Sequence, residues 1–224
     1  MATSVLLLRH AQSVWNAQGR WQGWADPPLS PAGEQAALAA AGHDALDTIE
    51  ATTSSDLQRA ARTAELLAGA RPWPAVRRYR GLRERGTGRW TGLTRPEIEA
   101  RWPGALGPPL AAIADGEPAA AVTARAVATL HRIAAEWPGR RVLAVTHAAL
   151  IRLVEEHAGA EPAPVPLLSG RWVDVDGGRL RLGDRIEALA SAPTPAAIEA
   201  LAPSPRPAAN EALAPAPTAA ATEP

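Results

Sequence analysis

Two histidines each follow a short apolar run: Val5-Leu6-Leu7-Leu8 leads into Arg9-His10, and Val142-Leu143-Ala144-Val145 leads into Thr146-His147. Uninterrupted apolar runs of this length, bounded by polar residues, are the pattern of strands buried on both faces. Parallel strands of that kind hold ligands beyond their carboxyl ends, so two imidazoles are expected at one edge of one sheet. A neutral imidazole is a nucleophile or general base, and a protonated one stabilises negative charge. A single histidine after a strand fits a structural hydrogen bond as well as it fits catalysis. Two of them, the first beside Arg9, favour chemistry on an anion. The chain contains no Lys, so each of its 23 basic residues is Arg, and every cationic contact is a planar fork suited to bidentate binding of phosphate.

The elements between the two runs carry ordinary helix punctuation. Ser30 as N-cap with Pro31 at the first helical position opens an Ala-rich helix ending near Gly42. A second helix is read from about Ser55 to Ala68, stopping at Gly69, and Thr94 with Glu97 forms a capping-box pattern for a short helix that ends before Pro103. A longer helix is read over Ala119 to Trp137 and another over Ala148 to about His157, and Val173 to Leu182 reads as a hairpin turning at Asp176-Gly177. Strands alternating with helices predict a three-layer α/β/α domain with a mostly parallel central sheet.

Four blocks, taken in order, resemble one family. Arg9-His10-Ala11-Gln12-Ser13 with Asn16 and Trp21-Gln22-Gly23 resembles the Arg-His-Gly signature and phosphate-binding loop of the histidine phosphatase superfamily, the phosphoglycerate-mutase-like family. Ser55-Asp56-Leu57-Gln58-Arg59-Ala60 with Thr63-Ala64 looks like its second arginine block. Leu82-Arg83-Glu84 with Gly88, Trp90 and Gly92 resembles the segment carrying the acid, and Val145-Thr146-His147 with Arg152 the second histidine block. The blocks span residues 5 to 152. The resemblance implies a phosphoglycerate-mutase-like fold, His10 as nucleophile, and a phosphate pocket of Arg9, Arg59 and His147 with Asn16, Gln22 and Gly23 as further substrate contacts. It implies Glu84 as proton donor, and neither metal nor cofactor. For Glu84 the competing reading is an exposed carboxylate in an ion pair; Arg83 and Arg85 are expected to face away from it along an extended segment. For Arg59 the competing reading is a solvated helix face, with Arg62 one turn later.

The chain departs from the family pattern at three places. Ala11 and Ala148 replace glycines, which costs on the order of 1 kcal/mol where φ must be positive and otherwise narrows the pocket. Gly116-Glu117-Pro118 stands where the family usually has Gly-Glu-Ser, removing a polar contact. Arg125 is expected on an exposed helix face. His43, His131 and His157 have no ligand-spaced partner and read as structural or solvated. Trp15, Trp21 and Trp24 are candidates for a pocket wall, or simply for covering the sheet edge.

The 32 residues between Glu84 and Glu117 are fewer than the insertion typical of the family's mutases, which favours hydrolysis of a small phosphomonoester. The alternatives are a cofactor-dependent phosphoglycerate mutase and a non-catalytic phosphate-binding module.

With 224 residues, one α/β domain is expected over 1–190, followed by a disordered Ala/Pro-rich tail over 191–224. A net charge of zero gives no overall field to recruit nucleic acid or a membrane surface. The absence of Cys, of a signal-peptide pattern and of a membrane-length apolar run is consistent with a cytoplasmic protein. A homodimer is the oligomer expected from base rates.

Overall fold

The computed structural model describes residues 1–69, 71–106, 113, 115–161 and 163–189. The tail expected over 191–224, and with it the boundary at 190, lies outside the described residues. Strand β1 (Thr3–Arg9) lies at the interior of a six-stranded sheet with β2 (Ala51–Ser55), β3 (Arg77–Tyr79), β4 (Arg141–Thr146), β5 (Gly170–Asp176) and β6 (Arg179–Ile186), in the order β3-β2-β4-β1-β5-β6. The β1–β4, β2–β4 and β2–β3 pairings are parallel; β5 is antiparallel to both β1 and β6. The mostly parallel sheet read from the sequence is therefore present, with an antiparallel hairpin at one edge. The hairpin turns at Gly177-Gly178, one residue later than expected, where both residues have positive φ as a tight type I′ connection requires.

Alternation along β1 explains the layers. Val5 and Leu7, with Val142 and Ala144, face the cluster covered by α5 (Ala119–Glu136) and α6 (Ala148–His157). Leu6 and Leu8, with Leu143 and Val145, face the opposite cluster under α2 (Pro31–Ala40) and α3 (Gln58–Ala68). All four β1 residues are fully buried, which is why the strand carries no polar alternation. Each such side chain contributes about 1.5–3 kcal/mol by leaving water. On α5 the buried Val122, Ala126, Leu130 and Ile133 recur at helical spacing and form its core face.

One boundary and several elements differ from the sequence reading. Ser55 ends β2 rather than starting a helix, and α3 begins at Gln58. Strand β2 reads Ala-Thr-Thr-Ser-Ser yet is buried at every position; its hydroxyls disguised a central strand, and Thr53 satisfies its own by donating to the Leu143 carbonyl at 3.1 Å. The short helix α1 (Val14–Ala17) was not signalled by any apolar period; it is held by a capping box between Ser13 and Asn16. The capping box read at Thr94 and Glu97 opens α4 (Arg95–Arg101) as expected. Among the described residues no helix is long and apolar enough to cross a membrane.

The start of α2 braces the loop after β1. Ser30 caps Gly33 N at 3.0 Å, and its own N–H donates to the Gln12 carbonyl at 2.9 Å. A Cβ on Gly33 would lie 2.0 Å from that carbonyl oxygen. Gly33→Ala is thus expected to push the loop off the helix and to destabilise the protein by about 1–3 kcal/mol, read as a lowered midpoint in urea unfolding with an unchanged slope. An unaltered midpoint would mean that the loop yields freely.

Candidate active site

The register of the sheet brings the two histidines together. Arg9 sits beside Thr146 in the β1–β4 pairing, and His10 N donates to the Thr146 carbonyl at 3.0 Å. The His10 and His147 rings consequently meet edge to face, with centroids 5.1 Å apart, and both are almost completely buried. His10 Nδ1 lies 2.6 Å from the Ala11 carbonyl oxygen. A carbonyl only accepts, so Nδ1 carries the proton and Nε2 keeps its lone pair. Burial, then the charges of Arg59 and Arg9, hold the His10 pKa well below its ordinary value, against a smaller opposing effect of the Ala11 contact. His147 is lowered in the same way, by burial first and then by Arg59, His10, Arg125 and Arg9. Neither ring nitrogen of His147 has a hydrogen-bond partner among the described residues, a rare condition for buried polar atoms.

Two guanidinium groups flank these rings. Arg59, on the first turn of α3, is 1% exposed and donates to the Ala25 carbonyl at 2.8 Å and the Gly23 carbonyl at 2.9 Å. Burial pushes its pKa down to about 10, with partial restoration from Glu84 and Asp26, so it stays charged at neutral pH. Arg9 donates to the Val165 carbonyl at 2.8 Å. The Nε atoms of both are buried without partners among the described residues. Thr63, one turn beyond Arg59, ties this helix to the histidine loop by accepting from Ala11 N at 3.1 Å while donating to the Arg59 carbonyl at 2.7 Å. Arg62 instead pairs with Glu34 on the surface, which decides between the two arginines.

Glu84 reaches the same cleft from the segment after β3. Its Oε1 accepts from Arg85 N at 2.9 Å, and Thr146 Oγ1 anchors the segment by donating to the Leu82 carbonyl at 2.7 Å. The cleft, of about 300 Å³, is lined by His10, Arg9, Arg59, Asn16, Gln22, Gly23 and Glu84 among others. Asn16 caps α1, and Gln22 Oε1 lies 2.8 Å from Ser13 Oγ. Every residue named from the sequence as a site candidate except His147 therefore lines one pocket, and His147 adjoins it through its ring contact with His10.

Several expectations are corrected. Arg125 is not on a solvated face: its guanidinium donates to the carbonyls of Gly81, Arg83 and Glu84 at 2.9, 2.6 and 2.9 Å and forks onto Glu117 at 2.7 and 2.8 Å. One cation thus fixes the whole turn that presents Glu84. Arg83 does turn away, to a two-pronged pair with Asp56 at 2.7 Å, but Arg85 lines the cleft with Glu84, because 3₁₀ turns at Arg80–Leu82 and Gly88–Trp90 flank the segment and a strand's alternation does not continue through it. Ala11 and Ala148 are absent from the positive-φ residues, so neither alanine is strained. Pro118 occupies the N-cap of α5 without a side-chain cap. Trp21 lines the cleft and packs edge to face on Trp90 at 5.2 Å, while Trp24 is half exposed and donates its ring N–H to the Glu84 carbonyl at 2.8 Å. His43 caps a 3₁₀ turn, and His157 is exposed. Arg20, Arg85 and Thr87 also line the cleft; isolated arginines and a threonine in loops gave no periodic signal by which to find them. Among the described residues no three metal-ligating side chains cluster.

Known proteins resemble this chain in sequence and fold. The family model of the histidine phosphatase superfamily (branch 1) matches residues 5–168. A metal-independent phosphoserine phosphatase of Arabidopsis thaliana is 33% identical over 161 residues, 68% of this chain and 67% of that one. A 2,3-bisphosphoglycerate-dependent phosphoglycerate mutase of Nitratidesulfovibrio vulgaris is 45% identical over 102 residues, 43% of this chain and only 40% of the mutase. The solved structure of a mycobacterial glucosyl-3-phosphoglycerate phosphatase with VO3 superposes with a TM-score of 0.71 at 30% identity, covering 81% of this chain and 97% of that one.

Proposed function

The chain belongs to the histidine phosphatase superfamily, and from that premise we propose that it hydrolyses a small phosphomonoester in two steps through a phosphohistidine on His10. The observation that carries this reading is the His10 ring itself: Nδ1 is committed to the Ala11 carbonyl and Nε2 is left uncommitted in an arginine-walled cleft. In the first step Nε2 attacks phosphorus in line, the ester oxygen leaves, and Glu84 supplies the proton that oxygen needs. In the second step water attacks the phosphoryl group, its proton returns to Glu84, and phosphate departs from Nε2. Arg9 and Arg59 stabilise the charge on the equatorial oxygens throughout.

His147 has a distinct task. The surrounding cations and burial keep its imidazole neutral, but a phosphoryl dianion brings negative charge that reverses their effect, so the ring takes up a proton as substrate binds and then donates to a phosphoryl oxygen. The low pKa of His10 has the opposite use: its nucleophilic nitrogen stays unprotonated well below the ordinary imidazole range, so the acid limb of kcat/KM is not set by an unperturbed histidine.

The phosphatase and mutase relatives separate on where the phosphoryl group goes. The purified protein, given excess chelator, is expected to release inorganic phosphate from members of a phosphomonoester panel that includes phosphoserine and glucosyl-3-phosphoglycerate, because the two guanidinium forks supply the charge that a divalent ion would otherwise supply. Loss of activity with EDTA and rescue by a divalent ion would overturn the metal-independent reading. Transfer between the hydroxyls of phosphoglycerate at a rate above hydrolysis would make the chain a mutase.

A further inference from the structure

A buried carboxylate lies outside the proposed chemistry. Glu155 sits on the core face of α6 with Leu150, Ile151 and Val154 and is 1% exposed, whereas its neighbour Glu156 is exposed. An aliphatic side chain would suit this stripe, and a carboxylate placed there gives up its hydration. Burial raises its pKa, with the charges of Arg185, Arg171 and Arg152 opposing that rise. Its partner is Arg185 on β6, whose Nη2 donates to Glu155 Oε2 at 2.7 Å. Ion pairs buried in this way contribute little to stability beyond what apolar residues of the same size would, so the pair calls for another explanation.

The other arm of Arg185 supplies one. Its Nη1 donates to the Pro164 carbonyl at 3.1 Å, and the next carbonyl along the chain, that of Val165, accepts from Arg9 Nη1 at 2.8 Å. One guanidinium thus joins α6 to the segment that holds another. The same segment clasps the main chain of Arg9: Leu168 N donates to the Arg9 carbonyl at 3.1 Å, and Arg9 N to the Ser169 carbonyl at 2.9 Å. Few torsions separate the two ends. Pro164 has a fixed φ, and Val165 precedes Pro166, which confines it to extended backbone, so the Val165 carbonyl follows any shift of Pro164. The Val165 side chain is seated in the core, but a cavity of about 140 Å³ is bounded by Ile151, Glu155, Pro164 and Arg185, so the bridge from Arg185, and not close packing, fixes the Pro164 end. An untethered Arg9 also has a competing partner, because the Glu84 carboxylate favours its charge.

We propose that the Glu155–Arg185 pair is a positioning device for Arg9: by fixing Pro164 it sets the Val165 carbonyl, and with it the guanidinium that meets the phosphoryl oxygens. Neither residue of the pair lines the cleft, so both act through Arg9. The inference rests on the reading of Arg9 as a phosphoryl-binding group.

Calorimetric binding of orthovanadate to the full chain tests this apart from turnover, because vanadate adopts the five-coordinate geometry of phosphoryl transfer. Glu155→Leu continues the apolar stripe but removes the bridge, and is expected to weaken vanadate binding by about tenfold or more, within the range for a misplaced group. Glu155→Gln, whose amide oxygen still accepts from Arg185, is expected to stay within about threefold of wild type. In an Arg9→Ala background, itself weakened, Glu155→Leu is expected to cost less than about twofold more, since residues that act through one contact are not additive. An equal loss in both backgrounds overturns the proposal, as does wild-type affinity in the Glu155→Leu chain. Where Glu155→Leu melts below wild type, Arg185→Gln decides by the same two comparisons, since it cuts the bridge at its 32% exposed end. If the cycle behaves as expected but no phosphomonoester is hydrolysed, the positioning stands and the hydrolase reading falls. A wild-type chain that binds no vanadate overturns the positioning together with the phosphoryl-binding reading of Arg9.

Discussion

His10→Ala is expected to lower turnover of every phosphomonoester by at least about 10⁴-fold, the scale seen when a covalent nucleophile is removed. The protein should still fold, because the main-chain contact from residue 10 to the Thr146 carbonyl and the pairing of β1 with β4 do not involve the imidazole. What disappears is the lone pair on Nε2; the His147 ring, edge to face with His10, is assigned to the phosphoryl oxygens and not to the phosphorus. Rapid acid quenching of the wild-type enzyme during turnover should trap an acid-labile phosphate on the protein, and the alanine variant should trap none. A variant that retains wild-type rates, or a wild-type enzyme that labels at another residue, ends the mechanism proposed for His10.

Glu84→Gln separates proton donation from nucleophilic attack, because its effect depends on the leaving group. An alkoxide is strongly basic and must receive a proton as it departs, whereas a nitrophenolate needs almost none. Glutamine keeps the shape of the side chain and can still accept from Arg85 N through its amide oxygen. Alkyl phosphates are therefore expected to slow by roughly 10²–10⁴-fold, with each tenfold worth about 1.4 kcal/mol of transition-state stabilisation, while nitrophenyl phosphate slows by less than about tenfold on the same scale. Equal losses on both substrates would assign Glu84 to ordering the cleft. No loss on either would require another donor, and Glu117 is poorly placed for that role: Arg125 holds both its oxygens, and Gly86 N adds a further bond at 3.2 Å.

The sequence made the chemical centre more legible than its supports. His10 and His147 were readable because each ends an apolar run, and strands buried on both faces leave that mark wherever they occur. Arg59 was separable from Arg62 only by family spacing; the physical distinction, a carbonyl cage of Gly23 and Ala25 for one and Glu34 for the other, depends on residues far away in the chain. Strand β2 was missed because its Thr and Ser make a buried strand look polar; Thr53 donates to the Leu143 carbonyl, whereas the hydroxyls of Thr52 and Ser54 are buried without a partner among the described residues. Arg125 was misread because a helix face becomes interior only when a loop folds over it, and no local pattern encodes the approach of the carbonyls at 81, 83 and 84. Arg85 was turned the wrong way for the same reason: alternation was extended through a segment whose 3₁₀ turns interrupt it.

The placement of β1 and β4 inside the sheet bears on how this protein fails. Both are hydrogen-bonded on each side, and the sheet's open edges belong to β3 and β6. Partial opening of a native protein begins where backbone bonds are exposed and few apolar contacts are lost, here at those outer strands. Fraying of β6 leaves β5 still paired to β1, and fraying of β3 leaves β2 still paired to β4. Neither separates the ends from which His10 and His147 project. The geometry of the two rings is thus tied to the last cooperative unit of the domain to open, so subglobal fluctuations leave the catalytic pair assembled, and its dispersal coincides with loss of the native state itself.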